Sequence, residues 1–254
     1  MELPVNTFKA RLKAGEHQLG IWNAIGGPVA PEILAGAGFD WMVLDTEHAP
    51  TDVTDVLPAL QMLAAYPETS ALVRPAINDS TLIKRHLDQG AQTLIVPYVQ
   101  TAEEAASAVA AMRYPPEGFR GVAGMMRASR YGRVPGYATK AEDELCLIVQ
   151  VETKSSLDQL EAIATTPGVD GVFIGPSDLS ASLGYLGQPG HPEVVKVIKD
   201  TIDRLKAVNV PAGILTLDKA SADQFIDWGV AFTAVGLDSA LLAKASSALR
   251  DSFK

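Results

Sequence analysis

Eight short runs rich in apolar and β-branched residues recur along the chain, alternating with longer stretches that have helical spacing. The runs are Leu19–Asn23, Trp41–Asp45, Ala71–Pro75, Thr93–Pro97, Leu145–Glu152, Gly171–Gly175, Val210–Leu215 and Thr233–Leu237. Helical stretches between them include Val53–Ala65, Asp79–Gln89, Ala102–Arg113, Pro192–Val208 and Lys219–Trp228. Met42-Val43-Leu44 and Val172-Phe173-Ile174 are apolar throughout, as strands covered on both faces should be. Strands alternating with helices build right-handed βαβ units and a parallel sheet. Eight such units in 254 residues fit an α/β fold of the closed (β/α)₈ (TIM) barrel type, with residues 1–254 as one domain. The competing open sheet would favour a G-x-G-x-x-G after its first strand, and none follows Asn23.

Charge and cysteine usage narrow the function classes. With 30 acidic against 21 basic residues the net charge is −9, which disfavours nucleic acid and anionic membrane surfaces as partners. A single cysteine, Cys146, excludes a disulfide framework and a cysteine-rich zinc site. Residues 1–20 carry charges throughout and offer no signal-peptide core, and no apolar run reaches the length of a membrane span, so a cytoplasmic location is expected. Tyr114 to Tyr137 is too long for an ordinary connection and holds Arg120, Arg127, Arg130 and Arg133. It reads either as a solvated loop or as a positive rim for an anionic substrate or a neighbouring subunit.

Barrel enzymes gather their reactive groups where strands end, and here those ends are polar. The second run ends Asp45-Thr46-Glu47-His48, the third Arg74-Pro75, the fifth Gln150-Val151-Glu152, and the sixth enters Gly175-Pro176-Ser177-Asp178. Gln150 and Glu152 share one strand face, so a buried carboxylate there needs a partner. Glu152 with Asp178 from the next strand makes an oxygen donor pair suited to Mg²⁺, Mn²⁺ or Co²⁺; the alternative for Glu152 is a salt bridge to a loop arginine. The turn at Gly175 to Asp178 opens a helix whose backbone N–H groups suit a small carboxylate. His48 reads either as an acid/base or as a structural histidine, and Arg74, with no obvious structural task, offers a cation to an oxyanion. No lysine lies in any of the runs, which disfavours Schiff-base chemistry.

Leu44-Asp45-Thr46-Glu47-His48, Val73-Arg74-Pro75, Leu87-Asp88-Gln89-Gly90-Ala91-Gln92, Tyr114 to Gly121, Gln150-Val151-Glu152-Thr153 and Gly175-Pro176-Ser177-Asp178-Leu179-Ser180 together resemble the class II pyruvate aldolases typified by 4-hydroxy-2-oxoheptanedioate aldolase. The 2-keto-3-deoxy sugar acid aldolases and macrophomate synthase belong to the same superfamily. The resemblance implies a modified barrel whose last helix is exchanged between subunits in a homohexamer, a trimer of dimers. It implies Glu152 and Asp178 as ligands of a divalent metal, no organic cofactor, and small-molecule substrates: a 2-oxo acid and an aldehyde. Arg74 would polarise the donor keto oxygen, Gln150 contact the substrate, and the backbone of Gly175 and Ser177 hold its carboxylate. His48 would be the acid/base, oriented by Asp88, with Asp45 supporting the loop. Two other readings compete: a CoA-ester lyase of the citrate or malyl-CoA lyase type, and a non-catalytic 2-oxo-acid-binding barrel. The first would need a CoA site and the second would lack the base or the carboxylate pair.

Overall fold

The computed structural model describes residues 1–254 and closes eight parallel strands into a barrel in chain order. The strands are β1 (Gln18–Asn23), β2 (Trp41–Asp45), β3 (Ser70–Arg74), β4 (Thr93–Val96), β5 (Cys146–Val151), β6 (Gly171–Ile174), β7 (Ala212–Leu215) and β8 (Phe232–Leu237). Helices α1 (Thr7–Ala14), α2 (Val29–Ala35), α3 (Val53–Leu63), α4 (Ser80–Asp88), α5 (Ala102–Met112) and α6 (Tyr137–Lys140) belong to the first half. Helices α7 (Lys154–Asp158), α8 (Leu160–Ala164), α9 (Pro176–Ser182), α10 (Pro192–Ala207), α11 (Lys219–Asp227) and α12 (Asp238–Asp251) complete the chain. No helix is long and apolar enough to cross a membrane.

Strand alternation sorts residues into two apolar layers. Met42, Leu44, Val73, Leu94, Val149, Val172 and Ile174 face outward into a shell beneath the helices. Trp41, Val43, Leu72, Ile95, Ile148, Phe173 and Phe232 face inward and fill the barrel. Helix α1 closes the barrel's base, where Phe8 meets Phe232 edge-on at a centroid separation of 5.4 Å. Gly213 pairs with Phe232 across β7 and β8, and a methyl group at position 213 would lie 2.0 Å from that ring, so only glycine admits it.

Each of the eight expected runs overlaps one observed strand, and the ends differ; β1, β3 and β8 begin one residue earlier than expected. Pro211 lacks an N–H and Val210 N bonds back to Leu205 O at the end of α10, so pairing starts at Ala212. Tyr114 to Tyr137 follows α5 and therefore lies towards the base of the barrel. Arg127 donates to the backbone oxygens of Gln89 at 2.7 Å and Leu60 at 3.1 Å, satisfying carbonyls at the C-terminal ends of α4 and α3. The loop therefore does not rim the mouth of its own barrel, which corrects the expectation of a rim for a substrate within one chain and leaves that of a neighbouring subunit standing.

His86, in α4, is fully buried, and neither ring nitrogen has a hydrogen-bond partner. Burial, with the nearby Arg85 charge, pushes its pKa down to about 4. The neutral form is the one the fold accommodates, so this contribution is complete above the unfolded value near 6.5 and is lost as pH falls towards 4. The expected loss is about 3 kcal/mol by pH 4. Denaturant unfolding of wild type and His86→Phe at pH 7 and pH 4.5 checks this: the variant should lose less stability between the two.

Candidate active site

The inward parity that packs Trp41 and Val43 also brings Asp45 inside, at the upper end of β2. Asp45 and Arg74 are register partners at the ends of β2 and β3. Arg74 Nε donates to Asp45 Oδ1 at 2.8 Å and Nη2 to Oδ2 at 2.6 Å, a bidentate lock on a side chain that is 8% exposed. Trp22, from β1, adds its indole N–H to Asp45 Oδ2 at 3.2 Å and lies beneath the guanidinium, 4.9 Å from ring centroid to Cζ. The third arm, Nη1, forms an ion pair with Glu47 at 2.9 Å. A guanidinium has five N–H groups; Asp45 takes one from Nε and one from Nη2, and Glu47 Oε2 accepts no hydrogen bond, so both Nη atoms keep hydrogens free for a ligand.

Burial pushes the Asp45 carboxyl up, but the hydrogen bonds and charge of Arg74 outweigh it and hold the group below its usual range. Glu47 moves the other way: burial, with Asp45 and Asp178 nearby, raises it despite Arg74. Asp45 also accepts from Glu47 N at 3.0 Å, so it braces both the guanidinium and the loop leading to His48.

Gln150 and Glu152 continue the inward face of β5 and are 3% and 2% exposed. Glu152 Oε2 accepts from Gln150 Nε2, and Oε1 accepts from Tyr98 N at 2.9 Å. Gln150 Oε1 is buried with no partner. Burial raises Glu152 to about 7, and the charges of Asp178 and Glu47 push in the same direction. Gly175 makes room for this carboxylate, because a methyl group there would lie 2.4 Å from Glu152 Oε2. Asp45 and Glu47 take the one guanidinium, which leaves Glu152, Asp178 and the orphaned Gln150 amide oxygen as oxygen donors at the top of the barrel. A hard divalent cation fits that donor set, with Glu152 and Asp178 as the carboxylates that face no cationic side chain.

His48, Arg74, Asp45, Gln150, Gly175, Ser177 and Asp178 line one cleft open to solvent, with Trp22, Ala24, Phe173, Leu215 and Leu237 as its apolar wall. No lysine lies in a strand or among the residues lining this cleft. Asp238, buried at the start of α12, accepts from Asn23 Nδ2 at 2.6 Å, Ala24 N at 3.0 Å and Ile25 N at 3.1 Å, and so holds the loop after β1 against the mouth.

Asp88 lies elsewhere. It ends α4, which leads into the start of β4 at the base, whereas His48 follows the end of β2 at the mouth. Its carboxylate accepts from Arg120 Nη2 at 2.8 Å, and the Arg120 side chain is fully buried over the Tyr114 ring. Within one chain Asp88 therefore does not orient His48; that pairing would require a second copy. Sequence reasoning gave no role to Trp22, to Glu47 or to the Tyr98 backbone. The inward parity of β1 could have flagged Trp22, but a backbone N–H leaves no signature in residue identity.

The HpcH/HpaI aldolase/citrate lyase family model matches residues 18–245. A pyruvate aldolase of Rhizobium etli is 60% identical over 253 residues, covering 100% of this chain and 99% of that one. A 4-hydroxy-2-oxovalerate aldolase of Rhodococcus jostii is 49% identical, covering 100% and 98%. The crystal structure of an HpcH/HpaI aldolase/citrate lyase family protein from Burkholderia cenocepacia superposes with a TM-score of 0.94 at 40% identity, covering 98% of this chain and 100% of that one. A match of this extent, over a barrel whose polar residues meet at the strand ends, makes the chain a member of the HpcH/HpaI aldolase/citrate lyase family.

Proposed function

We propose that this protein is a divalent-metal-dependent aldolase that makes and cleaves the C–C bond between the enolate of a pyruvate-type 2-oxo acid and an aldehyde. The observation that carries the reading is a cleft lined by a locked guanidinium, Arg74, and by Asp178, a carboxylate with no cationic side-chain partner, with the buried Glu152 close enough for the Asp178 charge to raise its pKa. Glu152 and Asp178 would hold the cation, which when bound supplies Lewis-acid polarisation of the donor oxygens. Arg74 offers its free Nη hydrogens to the keto oxygen and stabilises the charge that develops there on deprotonation. His48 takes a proton from the donor's C3 and returns one to the new alkoxide after attack on the aldehyde. The backbone at Gly175 and Ser177 receives the donor carboxylate, and Gln150 contacts the substrate. Asp45 acts through Arg74 as a positioning residue.

Relatives at 49% and 60% identity over the whole chain carry aldolase names, which favours this reading over a CoA-ester lyase or a non-catalytic barrel. The test is incubation with pyruvate plus an aldehyde, or with oxaloacetate, with and without added Mg²⁺, Mn²⁺ or Co²⁺. Metal-dependent product supports the assignment; turnover only of CoA esters overturns it.

We further propose a homo-oligomer, a hexamer built from dimers that exchange α12. Leu241, Leu242 and Leu249 on that helix are 49%, 61% and 64% exposed, an apolar stripe that a neighbouring copy would cover. Such an assembly is also what could bring Asp88 to a neighbour's His48. A monomeric mass by light scattering at micromolar concentration would overturn it.

A further inference from the structure

Tyr98 has a φ of 55°, in the left-handed region that a side chain larger than asparagine enters at a cost. Its ring does not offset that cost by packing, since Tyr98 is 59% exposed. What holds the residue there is the backbone on either side. Before it, β4 is paired with β5 through Val96 and Val149; after it, Val99 N donates to Gln150 O at 3.1 Å. Beyond that, Thr153 Oγ1 donates to Gln100 Oε1 at 2.5 Å. With the chain fixed at both ends, φ at position 98 decides where its N–H points, and it points to Glu152 Oε1 at 2.9 Å. Gln150 Nε2 takes the other oxygen, so both oxygens of Glu152 are held by hydrogen bonds.

We propose that Tyr98 is a positioning residue whose left-handed backbone aims its N–H at Glu152 and fixes that carboxylate in the orientation a divalent cation requires. The proposal rests on the reading of Glu152 as a ligand. Strain kept in an exposed residue beside a site is retained only where its surroundings enforce it, and here they enforce one hydrogen bond to one buried carboxylate. Groups of this kind, bonded to a ligand rather than to the metal, typically change affinity by about 10- to 100-fold when removed.

The experiment is Mn²⁺ binding to the full-length protein, read by electron paramagnetic resonance, together with thermal unfolding. Tyr98→Gly and Tyr98→Asn adopt the left-handed conformation readily and keep the N–H, so both should bind Mn²⁺ within about 3-fold of wild type. Tyr98→Val is disfavoured there by its branched Cβ, and an ester in place of the amide at position 98, introduced as the α-hydroxy acid, removes the N–H alone. Both should bind about 10-fold more weakly or worse, and the ester keeps the test available if the valine variant does not fold. Wild-type affinity in the folded valine and ester variants overturns the proposal. Equal loss in the glycine and asparagine variants also overturns it, by assigning the effect to the ring. If Glu152→Gln leaves Mn²⁺ binding to the otherwise unaltered chain intact, the ligand reading itself fails, a result distinct from failure at position 98.

Discussion

Replacing Arg74 by lysine should lower aldol turnover by about 10²-fold or more while the barrel stays folded. Charge survives the substitution, but the fork does not. One ammonium cannot satisfy both Asp45 oxygens, reach Glu47 and still face the donor's keto oxygen, whereas Arg74 makes all three protein contacts and keeps hydrogens free on both Nη atoms. The lysine would be drawn to Asp45, away from the position where charge develops. Because that interaction strengthens as the enolate forms, the loss should fall mainly on kcat rather than on KM. Steady-state kinetics with pyruvate and an aldehyde, with circular dichroism to verify the fold, decide it. Unchanged kinetics would remove Arg74 from the mechanism.

Chelation should have a larger effect still. Exhaustive treatment with EDTA is expected to abolish aldol activity, and Mg²⁺, Mn²⁺ or Co²⁺ to restore it. Glu152→Gln and Asp178→Asn should weaken Mn²⁺ binding severely. Glu152 is the more sensitive position: it is 2% exposed, closed in by Gly175, and held at both oxygens. Exchanging one oxygen for an NH₂ group there removes a ligand atom and leaves the Tyr98 or Gln150 donor facing another donor. Borohydride in the presence of pyruvate should leave the protein's mass unchanged, since no strand or cleft-lining residue is a lysine. Activity that survives chelation, together with a reduced pyruvate adduct on a lysine, would overturn the metal-dependent chemistry.

The strands were legible because burial on both faces leaves an unbroken apolar run, and Val172-Phe173-Ile174 can hardly be read otherwise. Their ends were less so, since Val210 belongs to the turn that closes α10. His48, Arg74, Gln150, Gly175, Ser177 and Asp178 could be gathered from the sequence because strand direction alone puts their positions at one end of a parallel barrel, and they do line one cleft. Asp88 shows the limit of motif reasoning: its place at a helix C-terminus assigns it to the opposite end, where Arg120 takes it. The brace that Trp22 supplies to Asp45 depends on proximity between β1 and β2, and the Tyr98 donor on a torsion angle. Neither is written in residue type.

Asp45, Arg74, Gln150 and Glu152 continue the same inward parity as Trp41, Leu72 and Ile148. A one-residue slip in the register of β2, β3 or β5 would turn the reactive groups outward and expel the core beneath them in the same stroke. Changes of length are therefore excluded from these strands, whereas exchange of a side chain at fixed parity is not. Ala24, after β1, can change without disturbing that parity, as can Leu215 and Leu237 at the upper ends of β7 and β8, and all three face the cleft. A fold arranged this way can drift in what it accepts while its chemistry stays frozen, so substrate range should diversify among its descendants long before the reaction does.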